Sequence, residues 1–394
     1  MYDVCIIGGC GHVGLPLAIA LADKGKKVCV QDIDEVAAEA VKRGELPFSE
    51  EGAEPLLKKV LEEGLLQVSL DAGCIADSKI IICIVGTPVD EHLNPKFGLM
   101  KNIIGQYVDY FRDGQLLILR STVFPGITSK VRDWLFQKGK KMHVAFCPER
   151  ILEGKAMTEL KSLPQIISSF SEEGLSMSKE LFSCLNNDIV VVEPMEAELA
   201  KLFTNVWRYI KFAAANQFYM IANNYGLDFY NIYRAMTHNY ERAQDLPRPG
   251  LAAGPCLFKD SMQLGAFNDG DFYLGHSAML INEGLPNYMV KRLKQKYDLS
   301  SKTVGILGMA FKSGSDDIRE SLSYKLKKIL ELEASQVLCT DPYVKDDRLL
   351  TLEEVIGRSD IIVIATPHLE YSNIDVKGKV VADVWNVTGN GGVI

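Results

Sequence analysis

The sequence predicts an α/β protein: two doubly wound lobes joined by a long central helix and a helical middle. Three observations carry that class. Short β-rich apolar runs alternate with helical stretches from residue 2 to about 190, a helical pattern without a breaker runs from Glu196 to Asn224, and the strand-helix alternation restarts at Thr303. Such alternation implies βαβ units and a mostly parallel sheet. A chain of 394 residues exceeds what one core supports, so the boundaries are set at 1–192, 193–300 and 301–394.

In the first lobe the expected strands are Val4 to Ile7, Val28 to Gln31, Ile80 to Val85, Leu116 to Leu119, His143 to Ala145 and Ile189 to Val192. The run from Ile80 to Val85 shows no period of two, as expected of a strand covered by helices on both faces. In the middle segment Leu199, Leu202, Phe203, Val206, Ile210 and Ala213 recur at helical spacing, and Gly226 supplies a stop. At 1.5 Å per residue this helix would be roughly 45 Å long, a strut between lobes. Its surplus of apolar positions predicts a homodimer packed across a twofold axis. The second lobe is expected to hold strands at Val304 to Gly308, Gln336 to Thr340, Asp360 to Ala365 and Val380 to Val384.

Composition narrows the function classes. Hydrophobic residues at 47% and charged residues at 24% describe a packed, folded chain. With 43 basic against 51 acidic side chains and no run of Lys or Arg longer than two, tracking of nucleic-acid phosphates is excluded. The nine cysteines contain no C-x-x-C pair, which reads as thiols in a reducing compartment. Met-Tyr-Asp followed by an apolar strand lacks the features of a signal peptide, and no apolar run approaches ~18 residues. A cytoplasmic protein with no membrane partner is expected. The six histidines stand apart from each other and from cysteine at ligand spacing, so no metal site is expected.

The chemistry-bearing residues fall at strand ends. The first strand runs into Gly9-Cys-Gly11-His12-Val13-Gly14, a G-x-G-x-x-G opening a helix, and Asp32 closes the next strand. Glycines there permit a tight turn and close approach of a pyrophosphate to a helix amino terminus, while the carboxylate binds ribose hydroxyls. Asp32 would repel a 2′-phosphate, so NAD is the expected cofactor rather than NADP. Thr87, in Gly86-Thr87-Pro88, and Thr122, in Ser121 to Gly126, also follow strands; turn chemistry alone would explain both. Cys147-Pro148-Glu149-Arg150 with Glu153 and Gly154 offers two carboxylates, either at a site or on a solvated loop.

On the long helix Lys201, Asn205 and Arg208 share a face, which reads as a solvent face or as a cation and amide aimed at an oxyanion. Gly250 to Gly254, then Pro255 and Cys256, place a thiol in the first turn of a helix, where the positive helix end favours thiolate; Asp260 falls one turn on. An inert small hydrophobe is the alternative reading of that cysteine. Phe311 and Lys312, after Gly308, and Arg319, before Ser321, lie near a strand end of the second lobe, suited to a diphosphate or to surface salt pairs.

Together these strings resemble the UDP-glucose/GDP-mannose dehydrogenase family over nearly the whole chain and in the right order. The matching strings are the glycine motif from Gly9, Gly86-Thr87-Pro88, Ser121-Thr122-Val123, Pro148-Glu149 with Glu153-Gly154, Lys201-x-x-x-Asn205, Cys256-x-x-x-Asp260, and Gly308-x-Ala310-Phe311-Lys312 with Arg319-Glu320-Ser321. The resemblance implies two Rossmann-like lobes, an NAD domain first and a UDP-binding domain last, around a dimer-forming middle. It implies NAD-dependent four-electron oxidation of a UDP-sugar C6 alcohol to the uronate.

By the same resemblance Cys256 would capture the aldehyde as a thiohemiacetal whose oxidation gives a thioester. Thr122 and Asp260 would handle water and protons, Lys201 and Asn205 would steady the oxyanion, and Glu149 would assist hydrolysis. Gly9, Gly11, His12, Val13, Gly14, Asp32, Thr87, Thr122 and Glu153 would hold NAD. Glu149, Arg150, Glu153, Lys201, Asn205, Arg208, Gly250, Phe311, Lys312 and Arg319 would hold the sugar nucleotide. Cys147-Pro148-Glu149-Arg150 looks like the UDP-N-acetylhexosamine branch, while Phe258-Lys259-Asp260 looks like the UDP-glucose branch, so both sugars stay open. A single-step β-hydroxyacid-type dehydrogenase is weighed against by the lobe from Thr303 onward, and a catalytically silent nucleotide-sugar sensor by Cys256, Asp260, Lys201, Asn205 and Thr122 occurring together.

Overall fold

The computed structural model of the chain describes residues 1–86, 97–252, 254 and 256–394, with the side chains of residues 97 and 99 excluded. The chain divides into two compact units, Met1–Thr204 and Asn205–Ile394.

The first unit is built on an eight-stranded sheet: β1 Tyr2–Ile7, β2 Val28–Gln31, β3 Leu66–Ser69, β4 Ser78–Cys83, β5 Leu116–Leu119, β6 His143–Phe146, β7 Gln165–Ser169 and β8 Ile189–Val191. Their order is β3-β2-β1-β4-β5-β6-β7-β8. Neighbours run parallel except β6 and β7, which pair antiparallel through Ala145↔Ser169. Alternate residues of the strands enter two cores. Val4, Ile6, Val28, Val30, Ile80 and Ile82 pack on one face, and Cys5, Ile7, Cys29, Ile81, Cys83 and Leu117 on the other. Burial on both faces explains why these strands read as continuous apolar runs. Because β1 is flanked by β2 and β4, the chain order reverses at β1, and its carboxyl end is the crevice where such sheets bind ligands.

The second unit carries a parallel four-stranded sheet, β9 Thr303–Leu307, β10 Gln336–Thr340, β11 Ile361–Ile364 and β12 Val380–Ala382, in the order β10-β9-β11-β12. Helical residues Tyr219, Phe229, Leu285, Met289 and Leu293 share one core with Val304, Ile306, Leu326, Ile361 and Val363. Residues after Asn205 and the second sheet therefore fold around a common interior. Tyr219 Oη donates to the Gly392 carbonyl at 2.6 Å, and Asn223 Oδ1 accepts from the Ile394 amide at 3.1 Å.

The long helix spans Pro194–Asn224. Gly226, at φ +68°, adopts the left-handed conformation that ends helices, and the Leu227 amide returns to the Ala222 carbonyl at 3.0 Å. Phe203, Trp207, Phe218 and Ile221 on this helix, and Tyr225 just past its end, are exposed at helical spacing and form an apolar stripe. Among the described residues no helix is long and apolar enough to cross a membrane.

Candidate active site

In the first unit β1 ends at Ile7 and the helix Gly14–Asp23 begins seven residues later, so the glycine loop lies at the switch point. Its glycines differ in what they make room for. A Cβ on Gly9 would meet Val30 Cγ1 at 2.8 Å, and one on Gly14 would meet the Gly9 Cα at 2.6 Å, whereas one on Gly11 would meet nothing within 4 Å. Gly9 and Gly14 are needed for the turn, and Gly11 leaves open space. No side chain caps the helix at Val13. Amides at a helix start next to a bare glycine form a cradle for a pyrophosphate, which fits a dinucleotide.

Asp32 fixes this cradle. Its Oδ2 accepts the Cys10 amide at 2.8 Å, and its Oδ1 accepts the amides of Ile33 and Asp34 at 2.8 and 3.1 Å. Half-buried His12 stacks near Phe48, with ring centroids 4.2 Å apart. Thr87 lies outside the described residues.

Three buried acids hold the other loops of this unit. Arg120, 1% exposed, donates from Nη1 to the Cys147 carbonyl at 3.0 Å and from Nη2 to Glu149 Oε2. Glu149 Oε1 accepts the amides of Arg150 and Ile151 at 2.7 and 3.1 Å, so both oxygens of that carboxylate are engaged. Arg150 itself donates to the Pro164 carbonyl. Glu50 accepts the amides of Gly154 and Ala156 at 2.8 and 2.7 Å, shaping the turn after half-buried Glu153. Glu198, on the long helix, accepts the amides of Gly126 and Thr128 at 2.6 and 2.9 Å and so anchors the loop that contains Thr122.

Along the long helix the three candidates separate by environment: Lys201 is half-buried, Asn205 is 5% exposed, and Arg208 faces solvent. In the second unit Cys256 is the N-cap residue of the helix Leu257–Phe267, one position before the expected first turn, and it is exposed. The Asp260 amide donates to the Cys256 carbonyl at 2.9 Å, closing the turn that separates them. Asp260 is fully buried; its Oδ2 accepts from Asn205 Nδ2 at 2.6 Å and its Oδ1 lies 3.7 Å from Lys259 Nζ.

The segment before the thiol is set from three sides. Asn216 pins Gly250 through both backbone groups, at 2.7 and 3.1 Å, and is itself held by Asn282 at 2.9 Å. A Cβ on Gly250 would collide with the Trp385 ring at 2.2 Å, and one on Gly254, at φ +106°, would meet Phe311 at 2.6 Å. The Gly254 amide donates to the Glu320 carbonyl at 3.4 Å. Phe311 and the thiol-bearing segment are thus neighbours, although they are more than 50 residues apart in the chain. Lys312 Nζ lies 5.5 Å from the Phe311 ring centroid. Exposed Arg319 donates to Asp317 from Nε at 2.9 Å.

The second unit therefore brings together Cys256, Asp260, Asn205, Gly250, Phe311, Lys312 and Arg319 on connected segments. Gly9, Gly11, His12, Val13, Gly14, Asp32, Thr122, Glu149, Arg150, Glu153 and Lys201 belong to the first unit. Sequence reasoning missed Arg120, Glu50, Glu198 and Asn216. Each is a polar residue within an apolar or loop stretch, and its partners lie 29, 104, 72 and 34 residues away, beyond the reach of local spacing.

Sequence models of the UDP-glucose/GDP-mannose dehydrogenase family match in succession: its NAD binding domain over residues 2–186, its central domain over 195–283, and its UDP binding domain over 305–390. A UDP-N-acetyl-D-mannosamine dehydrogenase of Pyrococcus horikoshii is 30% identical over 403 aligned positions, covering 96% of this chain and 94% of the relative. Among solved structures, a UDP-D-ManNAc dehydrogenase from the same organism superposes with a TM-score of 0.91 at 29% identity, covering 98% of this chain and 95% of that one. A UDP-glucose dehydrogenase from Pyrobaculum islandicum reaches the same TM-score and the same coverage at 26% identity.

Proposed function

Because the chain belongs to the UDP-glucose/GDP-mannose dehydrogenase family, we propose that it oxidises the C6 alcohol of a UDP-N-acetylhexosamine, UDP-N-acetyl-D-mannosamine first, to the uronate in two NAD-dependent steps through Cys256. It is an NAD-dependent nucleotide-sugar dehydrogenase. The observation that carries the covalent step is the placement of an exposed thiol at a helix N-cap, one turn before a buried carboxylate that Asn205 holds. The sugar assignment rests on Pro148-Glu149-Arg150 and on the relatives named above.

Bound NAD supplies the hydride acceptor for each oxidation. Cys256 at the positive end of its helix is favoured as thiolate and adds to the C6 aldehyde. Loss of hydride from the resulting thiohemiacetal leaves a thioester, and water then releases the acid and restores the thiol. Asp260, with Thr122, would pass protons to and from water. An amide nitrogen carries two N–H groups, so Asn205 can fix Asp260 with one and, with Lys201, steady the oxyanion with the other. Glu149, with both oxygens engaged, is assigned to shaping the loop at Arg150 rather than to activating water.

The domains proposed are an NAD-binding domain at 1–192, a central segment at 193–300 and a UDP-binding domain at 301–394. The exposed stripe from Phe203 to Tyr225 supports a homodimer built on the long helix. Nine cysteines with no disulfide support a cytoplasmic location. A panel of UDP-sugars scored by NADH formation tests the reading. Two NADH per UDP-N-acetylmannosamine are expected; one NADH per substrate would replace it with a single-step dehydrogenase, and a preference for UDP-glucose would move the sugar assignment.

A further inference from the structure

On the face of the first sheet occupied by the Cys5 core, three thiols converge that no local spacing connects. Cys5 on β1 and Cys29 on β2 are register partners, so their side chains leave the same face side by side. The short helix Gly73–Ala76 packs over that face and adds Cys74. The three Sγ atoms all lie within 4.8 Å of one another, and Cys5 Sγ is 3.8 Å from Cys74 Sγ. Cys5 and Cys29 are buried, and Cys74 reaches partial exposure.

These separations match a coordination geometry. A metal–thiolate bond of about 2.3 Å puts sulfurs of a trigonal site about 4 Å apart. Among the described residues no fourth His, Cys, Asp or Glu joins the cluster. Three soft donors with no carboxylate or imidazole select for a thiophilic ion over Mg²⁺ or Ca²⁺. Mutual hydrogen bonding also distributes the protons unevenly: bonds from Cys29 and Cys5 pull the Cys74 thiol down, and the same network holds Cys5 up.

We propose that Cys5, Cys29 and Cys74 form a three-coordinate binding site for a thiophilic d¹⁰ cation, separate from the catalytic thiol. Binding releases the thiol protons to solvent and leaves three metal–sulfur bonds, with no change in oxidation state. The bond network would tie β1 and β2 to the helix Gly73–Ala76, three residues before β1 gives way to Gly8 and the dinucleotide loop. Its effect is on the stability of the first unit and not on the chemistry.

Cd²⁺ alone, titrated into the full-length chain in the absence of other thiols, tests the site. A thiolate-to-Cd²⁺ charge-transfer band should saturate near one equivalent, together with a rise in thermal midpoint. Cys74→Ala, at a partly exposed position, should weaken that binding at least 100-fold while keeping NADH formation. Cys29→Ala repeats the test from the buried side, and Cys256→Ser should keep the band. Absence of the band in the wild type, its survival in both Cys74→Ala and Cys29→Ala, or its loss in Cys256→Ser would each overturn the proposal.

Discussion

Asn205 Nδ2 donates to Oδ2 of the fully buried Asp260 at 2.6 Å, joining the long helix to the helix that Cys256 caps. Removing one donor from a buried carboxylate costs about 1–3 kcal/mol. Asn205→Ala should therefore lower thermal stability and, because the proposed mechanism has both Asp260 and the oxyanion depend on this amide, reduce kcat by tenfold or more. A variant that loses stability but keeps kcat would limit Asn205 to a structural part.

Asp32 predicts cofactor choice. Its oxygens already accept three loop amides, and a 2′-phosphate would bring like charge beside them. At 4 Å the repulsion is about 1 kcal/mol even in water, roughly a fivefold preference or more for NAD. Steady-state kinetics with both cofactors measure this, and equal kcat/KM values would count against it. Asp32→Ala should raise the KM for NAD by loosening the glycine loop.

How much of this was legible follows from how far apart the partners are. The glycine loop, Asp32, and the Cys256–Asp260 spacing were readable because strand, turn and helix periodicity are local. The antiparallel reversal at β7 was not, since Gln165–Ser169 is short and the sheet, not the sequence, sets its direction. Nor were β3, a four-residue edge strand, or the meeting of Phe311 with Gly254, which depends on tertiary packing. Cysteines at 5, 29 and 74 look scattered until strand register lines up the first two.

Acid stability should report on Asp341. This carboxylate accepts the amides of Met309 and Ala310 at 2.6 and 2.9 Å and pairs with His368 Nε2 at 3.2 Å, so it shapes the loop of Phe311. Burial pushes its pKa up, but the bonds from His368 and the backbone outweigh that and bring it to about 2. A depressed folded pKa stabilises above the unfolded value near 3.8 and loses that contribution as pH falls toward 2. Urea unfolding between pH 4 and 2 should lose on the order of 2 kcal/mol in the wild type and distinctly less in Asp341→Asn. Parallel curves for the two proteins would remove Asp341 from the account.

The exposed stripe on the long helix predicts self-association. Trp207 and Phe203 are 56% and 52% exposed, and burying such side chains against a second copy contributes about 1.5–3 kcal/mol each. Sedimentation at micromolar concentration should give about twice 43.7 kDa, and Trp207→Glu should shift the population toward monomer. A wild-type monomer at that concentration would refute the dimer.

Cys256 separates the thioester route from any single-step oxidation. Cys256→Ser keeps size and hydrogen-bonding capacity, yet a hydroxyl stays protonated at neutral pH where a thiol at a helix N-cap is partly thiolate. Acid formation should fall by orders of magnitude. NAD binding should persist, because the Gly11 cradle and Asp32 belong to the first unit. Cys10→Ala is the matched control: that thiol is 3% exposed, and burial, reinforced by the charge of Asp32, pushes its pKa up to about 12, so it is no nucleophile. The bond from residue 10 to Asp32 uses the backbone amide, which alanine retains, so Cys10→Ala should keep most activity. Near wild-type acid formation by Cys256→Ser would remove covalent catalysis at this position and, with it, the roles assigned to Asp260, Asn205 and Lys201.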